Sequence, residues 1–274
     1  MWLVFIVLLV LLGCDNGLEP VDHNNKIVVQ GYLVMGKKIE GVQLTYPMEF
    51  LSDDSICDPV VSADVSVSYD GIAVPLTSAR NNGEYSGDIV VEAGKTYTFT
   101  ARIAGYKQAT ARAVIPTKPQ SALDQATISI NAREVSLQQA REAIRSGAPH
   151  PKMTLRIADH TPSDWYYVIL RSKVSRPRQI WGRQAGRRRQ WAMRTDIFNT
   201  SEFEINFEYL RFQGEHQAIV YRIAPEYAAY YNTIKKSNDL GITTFLEPKG
   251  NITNGMGIFT GFACDTVDFT VTTQ

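Results

Sequence analysis

Short stretches of alternating polar and apolar residues, separated by turn residues, fill the chain between residues 61 and 115. Residues 64–69 read Asp-Val-Ser-Val-Ser-Tyr, and the Asp70-Gly71 pair that follows is typical of a hairpin turn. Strict alternation over such short runs does not fit the 3.6-residue period of an amphipathic helix. It predicts β-strands that bury one face each.

Two further β-branched or alternating stretches lie upstream, at residues 26–34 and 42–46. With them the first half of the chain contains about seven predicted strands and no predicted helix. Hydrophobic residues make up 44% of the chain and charged residues 20%, which is enough to form a core. The number and spacing of strands predict an immunoglobulin-like β-sandwich over residues 26–117.

A proline-rich break, Pro116-Thr-Lys-Pro119, follows the last of these strands and indicates a domain boundary at residue 117. Residues 118–274 are predicted to form a second β-rich domain with two short helices. The first helix is expected at residues 136–146, where Ser136 and Gln139 form a capping box. The second is expected at residues 224–236, with Pro225 in its first turn. The predicted fold class is therefore mainly β.

The beginning of the chain carries a targeting signal. Residues 2–12 are an unbroken apolar run, shorter than the roughly 20 residues of a membrane-spanning helix but typical of a secretory signal. The sequence Leu11-Leu12-Gly13-Cys14 resembles a bacterial lipobox, in which the cysteine is lipidated. We therefore predict a lipoprotein signal peptide over residues 1–13, lipidation of Cys14 and a polar tether over residues 14–25. The alternative is an ordinary signal peptide whose cysteine is incidental. One departure from a signal peptide is that no Lys or Arg precedes the apolar run, although such signals usually begin with a positive charge.

The rest of the chain has no second apolar run of membrane-spanning length, so membrane attachment is expected through the lipid. The formal net charge is zero, which argues against a general nucleic-acid role. Lipidation of Cys14 leaves Cys57 and Cys264 in an oxidising compartment, where they are free to form a disulfide. The alternative is two unpaired thiols, because the sequence does not place their Cα atoms within bonding distance.

Several features occur together in an order that resembles a known family. Besides the lipobox, they are the strand Ile27-Val-Val-Gln-Gly-Tyr32, the Gly-x-Tyr pattern at Gly83 and Tyr85, the Pro225-Glu-Tyr-x-x-Tyr-Tyr231 helix and the Gly250-Asn-Ile-Thr-Asn-Gly-Met-Gly-Ile-Phe259 loop. They resemble the Bacteroidetes outer-membrane lipoproteins known as domain of unknown function 4249, over nearly the whole mature chain. Gln30 is a departure, because a glutamate is expected there.

The resemblance implies a lipid-anchored protein of the outer membrane, at its periplasmic face or on the cell surface. Members of this family often occur alongside TonB-dependent receptors for nutrient import, and no catalytic residues are established for them. We therefore expect a non-enzymatic accessory that assists ligand capture or import with such a receptor. The alternative is a surface adhesin or a pilus-like structural subunit.

The sequence contains no recognisable catalytic motif. Nucleophile elbows, phosphate-binding loops and dinucleotide fingerprints are absent from it. The four histidines do not have the spacing of metal ligands, and we expect them to be scattered surface residues: His23, His150, His160 and His216. No metal, cofactor or catalytic residue is therefore predicted, and the hypothesis of a hydrolase has no nucleophile and base to support it.

One stretch is unusually basic. Nine of the 28 Lys and Arg residues lie within residues 171–194, where there is no acidic residue, so the rest of the chain has 19 basic against 28 acidic residues. Two tryptophans are interleaved with the arginines, and the candidate binding residues are Trp181, Arg183, Arg187, Arg188, Arg189 and Trp191. Arginine binds carboxylates and phosphates through two hydrogen bonds and stacks on aromatic rings. The stretch is therefore predicted to bind an anionic glycan, a lipopolysaccharide phosphate or an acidic loop of a partner. The alternative is a solvated hairpin, and nucleic acid is not an expected ligand.

The second predicted helix carries an aromatic stripe. Tyr227, Tyr230, Tyr231 and Ile234 have the spacing of a single helical face. Such a stripe is typical of a helix that packs on a sheet, and the alternative is a platform on which a ligand stacks.

Overall fold

The computed structural model describes residues 25–48, 56–131, 137–180, 192–239 and 248–273. The predicted signal peptide, Cys14 and all of the tether except residue 25 lie outside the described residues. So do the six candidate residues of the basic stretch, Trp181, Arg183, Arg187, Arg188, Arg189 and Trp191.

The first half of the chain forms seven strands. They are β1 (Val28–Val34), β2 (Lys38–Thr45), β3 (Asp64–Tyr69), β4 (Ile72–Leu76), β5 (Glu84–Val90), β6 (Thr96–Arg102) and β7 (Ala109–Val114). The second half adds β8 (Ser121–Leu123), β9 (Thr127–Ile130), helix α1 (Leu137–Ser146), β10 (Lys152–Ile157), β11 (Trp165–Ser172), β12 (Ala192–Arg194), β13 (Glu202–Asn206), a 3-10 turn (Phe207–Tyr209), β14 (Gly214–Ile223), helix α2 (Pro225–Asp239) and β15 (Met256–Thr273). The mainly β class and both predicted helices are therefore confirmed.

The strands form three sheets. The main sheet has the order β12-β11-β14-β15-β1-β2-β5, and β9 also pairs with β15. A four-stranded sheet has the order β4-β3-β6-β7, and a three-stranded sheet has the order β13-β10-β8. The main sheet thus contains strands from both sides of the boundary predicted at residue 117, while the division into domains stays a prediction.

Strand β15 is the axis of the main sheet. It pairs in parallel with β1 from Met256 to Phe262 and antiparallel with β14 from Phe262 to Val271. Alternation of polar and apolar residues is clear only at residues 267–271, because Gly257 and Gly261 interrupt it earlier in the strand. Gly257 has a positive φ of 96°, and a Cβ atom there would overlap the carbonyl oxygen of Val29 on β1. A glycine is therefore required for the two strands to approach each other.

Two cores lie on the inner face of the main sheet. The first is shared by β1, β2 and β5 with the whole four-stranded sheet, and Phe99 of β6 meets Phe259 of β15 there at 5.2 Å between ring centroids. The second lies between β11, β14, β15 and the three-stranded sheet. A smaller cluster on the outer face, around Ile223, Ala228 and Phe262, packs helix α2 against the main sheet.

A buried arginine connects the main sheet to the segment at the predicted boundary. The Arg222 residue on β14 is only 5% exposed, and its guanidinium lies 2.9 Å from Asp159 and donates to the Thr117 hydroxyl at 2.6 Å. Burial opposes ionisation of Asp159, but hydrogen bonds from the Gln120 N–H and from Arg222 outweigh it and lower the pKa of this carboxyl. The loop before β11 and the segment before β8 are thus held by one side chain.

Candidate functional site

Aromatic side chains cover the outer face of the main sheet beside helix α2. We call this cluster the tyrosine surface, and its members are Tyr32, Tyr167, Tyr221, Tyr227, Tyr230, Tyr231 and Phe262. Alternation along β11 buries Tyr166 in the second core and places Tyr167 on the outer face. Tyr167 is directly opposite Tyr221 on β14, so that neighbouring strands bring the two rings together.

The rings of the tyrosine surface hold one another in fixed orientations. Tyr167 and Tyr221 stack at 4.7 Å with 11° between their planes. Tyr227 meets Phe262 edge to face at 4.9 Å, while Tyr32 lies 5.9 Å from Phe262 and 6.2 Å from Tyr227. Each such pair contributes about 0.5–1.5 kcal/mol beyond simple burial of area. The surface is therefore largely formed before any ligand binds.

Arg194 joins the edge strand β12 to this cluster. Its guanidinium lies 4.3 Å from the ring centroid of Tyr167 and 5.3 Å from that of Tyr231, and it donates to the Tyr227 hydroxyl at 3.1 Å. Stacking on two rings and donation to a third fix the position of this cation.

Asp196 completes the attachment of helix α2 to β12. It accepts hydrogen bonds from Lys235 at 2.6 Å and from the Tyr231 hydroxyl at 2.9 Å. These two bonds hold the pKa of the Asp196 carboxyl below its usual range. Arg194 and Asp196 thus bind successive turns of α2 and keep the tyrosines of the helix over the sheet.

Four tyrosine side chains of the surface keep their hydroxyls unbonded within the described ranges. Within the described part of the chain, the hydroxyls of Tyr32, Tyr167, Tyr221 and Tyr230 have no hydrogen-bond partner, and they are not among the buried unpartnered atoms. Tyr32 is 41% exposed. Burial raises the pKa of Tyr32 to about 12 and also raises the pKa of Tyr167. All four groups are therefore neutral near pH 7, when a phenol hydroxyl both donates and accepts.

A carboxyl group lies at the base of helix α2. Glu226 accepts a hydrogen bond at 3.1 Å from the hydroxyl of Thr260, which is fully buried on β15. Burial raises the pKa of Glu226. This side chain thus adds a hydrogen-bond acceptor next to the first turn of the helix that carries the tyrosines.

The structure supports the interpretation that the stripe of helix α2 packs on a sheet, because Tyr227 contacts Phe262. The stacking of a ligand on it stays a prediction. Sequence reasoning missed Tyr32, Tyr167 and Tyr221, and gave Arg194 only a place in the basic stretch. The alternation of residues in β11 could have indicated that Tyr167 faces away from Tyr166. No sequence pattern indicates that β1 pairs with β15, which is the pairing that brings Tyr32 to Phe262.

The basic stretch leaves and rejoins the main sheet at its edge. It begins on β11 and returns on β12, where Arg171 is opposite Ala192. Arg171, Arg176 and Arg178 are exposed, and none of the three forms an ion pair with another described residue. Lys173 is paired with Asp268 at 3.1 Å. The candidate residues between these flanks lie outside the described residues, so their role stays a prediction.

The expected disulfide is not present, since Cys57 and Cys264 are both free thiols. The backbone N–H of Tyr46, just after β2, donates to the carbonyl oxygen of Asp58, next to Cys57. Because Thr45 at the end of β2 is opposite Val28, Cys57 lies near the start of β1, where Val28 is opposite Met256. Cys264 is eight residues further along β15, or about 26 Å at 3.3 Å per residue. A disulfide requires Cα atoms within about 7 Å. The prediction of this pair is therefore wrong.

The expectation of surface histidines is wrong for His216, which is 3% exposed. Its Nδ1 lies 2.9 Å from the Gly214 carbonyl oxygen, and its ring stacks on Phe269 at 5.3 Å. Burial lowers the pKa of the imidazole. His216, Lys173 and Asp268 line a cavity of about 210 Å³. In the described ranges, no three His, Cys, Asp or Glu side chains are grouped to hold a metal ion.

None of the helices in the described ranges is long and apolar enough to cross a membrane. The family described as domain of unknown function (DUF4249) matches residues 18–267. No curated protein matches the sequence.

Proposed function

We propose that this chain, which belongs to the domain of unknown function family DUF4249, is a non-enzymatic lipoprotein of the outer membrane. Cys14 carries the lipid, and the folded part assists a TonB-dependent receptor of a Bacteroidetes bacterium in ligand capture or import. The observation that carries this proposal is the tyrosine surface. Its rings are held in place by Arg194 and by one another, while four of its hydroxyls have no hydrogen-bond partner among the described residues and are proposed to bind a further molecule.

The position of this surface supports the proposed role. Residue 25, where the described chain begins, is three residues before Val28, which is opposite Met256 on β15. Phe262 is six residues further along β15, and Asp268 twelve, or about 20 Å and about 40 Å along the strand. An anchor at Cys14 therefore leaves the tyrosine surface and the flanks of the basic stretch on the part of the molecule away from the tether.

The first part of the chain is assigned an immunoglobulin-like arrangement. The support for this assignment is that β1, β2 and β5 share one core with the four strands of the second sheet. In the same proposal, the basic stretch binds an anionic group of a glycan or an acidic loop of the receptor. The exposed Arg171, Arg176 and Arg178 at its described flank support that role.

Affinity purification of the full-length protein from its own cross-linked membranes tests the proposal, with intact-mass analysis of the N-terminus. We expect an acylated N-terminal Cys14, recovery in the outer-membrane fraction and co-purification of a TonB-dependent receptor encoded beside this gene. The matched control is Cys14→Ser, which we expect to lack the acyl mass and the enrichment of the receptor.

Recovery of acylated protein with no receptor would contradict the import role and favour the adhesin or pilus-like subunit. Turnover of a glycan or peptide substrate by the purified protein would contradict the non-enzymatic assignment.

A further inference from the structure

We infer that the tyrosine surface binds a neutral saccharide, with a sugar ring lying against Tyr32 and the open hydroxyls of its neighbours bonding to the sugar hydroxyls. The inference deepens the proposed function, on which it rests for the delivery of this ligand to a receptor.

The open hydroxyls argue against a purely apolar ligand. A lipid chain or an apolar helix lying over the surface would cover the hydroxyls of Tyr32, Tyr167, Tyr221 and Tyr230, none of which has a partner among the described residues. Each hydroxyl buried without a partner loses its hydrogen bonds to water and gains none in return. Covering all four would therefore cancel most of the gain from burying the rings.

The charges around the surface argue against an anionic ligand. Among the described cations, Arg194 is already stacked on Tyr167 and Tyr231 and donates to the Tyr227 hydroxyl. Lys235 is bonded to Asp196, and the charge of Arg171 reaches Tyr221 from β11. The carboxyl group of Asp196 is bonded to Tyr231, and that of Glu226 lies at the base of the same helix. An anion would have to draw Arg194 away from its partners and would be repelled by a carboxylate.

A sugar ring satisfies both conditions. Its faces present C–H groups, which pack on the negative face of an aromatic ring, and its edges carry hydroxyls that donate and accept. Tyr32 provides a 41% exposed ring, and the stacked pair of Tyr167 and Tyr221 provides two hydroxyls whose positions are fixed. The class of ligand that matches is a neutral, hydroxyl-rich ring.

Titration calorimetry on the purified full-length protein tests the inference, in a detergent without a sugar headgroup. The probes are four neutral oligosaccharides of six units: maltohexaose, cellohexaose, laminarihexaose and xylohexaose. We expect saturable binding of at least one of them. Tyr32→Ala is expected to weaken it about tenfold, and Tyr32→Phe is expected to weaken it less, because this variant keeps the ring and loses only one hydrogen bond.

The matched control is Tyr106→Ala. Tyr106 pairs with Tyr46 at the opposite end of β1 and is remote from the tyrosine surface, so this variant should bind as tightly as wild type. Thermal unfolding of each variant identifies any loss of fold. If Tyr32→Ala does not fold, the affinity of Tyr32→Phe alone tests the inference. The inference is overturned if none of the four oligosaccharides binds, or if Tyr32→Ala and Tyr32→Phe both bind as wild type does. Receptor co-purification with no sugar binding would leave the proposed function in place and remove only this inference.

Discussion

Among the described charged residues, Arg222 lies unusually deep in the protein. Its side chain is 6% exposed, and the partner carboxyls of Asp159 and Asp164 are 27% and 20% exposed. By contrast, the Arg156–Glu202 pair on the three-stranded sheet is 62% and 59% exposed. An exposed pair contributes little because water and salt screen it, whereas removal of one partner of a buried pair leaves an uncompensated charge.

We therefore expect Arg222→Ala to lower the free energy of unfolding by about 3 kcal/mol or more. Arg156→Ala is the matched control and should cost less than about 1 kcal/mol. Denaturant titration of the two variants and the wild type measures both values. Equal small losses for the two variants would show that the Arg222 contacts do not stabilise the attachment of these two segments to the main sheet.

His216 predicts a dependence of stability on pH. Burial lowers the pKa of its imidazole in the folded state below the usual 6.5. Below about pH 6.5 the unfolded chain therefore binds a proton that the folded chain does not, and stability is lost as the pH falls. We expect the wild type to lose more unfolding free energy than His216→Gln between pH 7.5 and pH 5. Parallel curves for the two proteins would contradict the assignment.

At the scale of elements, β15 determines the main sheet, and its close approach to β1 depends on Gly257. Both Gly257 and Gly105 have a positive φ, of 96° and 83°. A Cβ atom on Gly105 would meet nothing within 4 Å, whereas one on Gly257 would overlap the carbonyl oxygen of Val29. Comparing the stabilities of alanine variants at the two positions therefore separates the cost of the backbone conformation from the cost of the steric overlap.

We expect Gly105→Ala to cost about 1–2 kcal/mol, the penalty of the left-handed region alone. Gly257→Ala should cost clearly more, because β1 must also move away from β15. Urea unfolding midpoints of the two variants measure the difference. If Gly257→Ala is no less stable than Gly105→Ala, the strands do not require a glycine at this crossing.

The basic stretch between β11 and β12 is predicted to bind anions. If it binds phosphate groups, the Arg187/Arg188/Arg189→Ala variant should bind lipopolysaccharide at least about tenfold more weakly than wild type. Binding of the wild type should weaken steeply with salt, because the screening length falls from about 10 Å at 0.1 M to about 3 Å at 1 M. Flotation of lipopolysaccharide vesicles with each protein measures both effects. Equal binding by the two proteins would leave the stretch as a solvated hairpin.

Elements with a clear period were predictable from the sequence, and contacts between distant elements were not. Alternation of polar and apolar residues predicted β3 and β6, and the spacing of Tyr227 and Tyr231 indicated helix α2. The glycines of β15 interrupt the alternation in the first half of the strand. No local pattern therefore predicted that this half pairs in parallel with β1. That pairing separates Cys57 from Cys264 and brings Tyr32 to Phe262, which is why the predicted disulfide was wrong and the tyrosine surface was missed.

For the whole molecule, the proposed function requires the lipid anchor and the receptor-binding residues to lie at opposite ends of β15. The start of β1 follows the predicted tether directly, and Lys26 and Lys107 belong to that end, since the Asn254 side chain donates to the Gln108 carbonyl oxygen just before β15. Lys173, which pairs with Asp268, belongs to the far end, and Lys235 holds Asp196 beside the tyrosine surface. Cross-links at these four lysines therefore identify which end of β15 contacts a receptor.

Lysine cross-linking of the full-length protein with its co-purified receptor, read by mass spectrometry, tests whether the end of β15 remote from the predicted tether meets the receptor. We expect receptor cross-links at Lys173 and Lys235 and few at Lys26 and Lys107, because the proposed lipid anchor would bring the latter pair close to the bilayer. Receptor cross-links concentrated at Lys26 and Lys107, or no cross-link to a TonB-dependent receptor at any lysine, would contradict it.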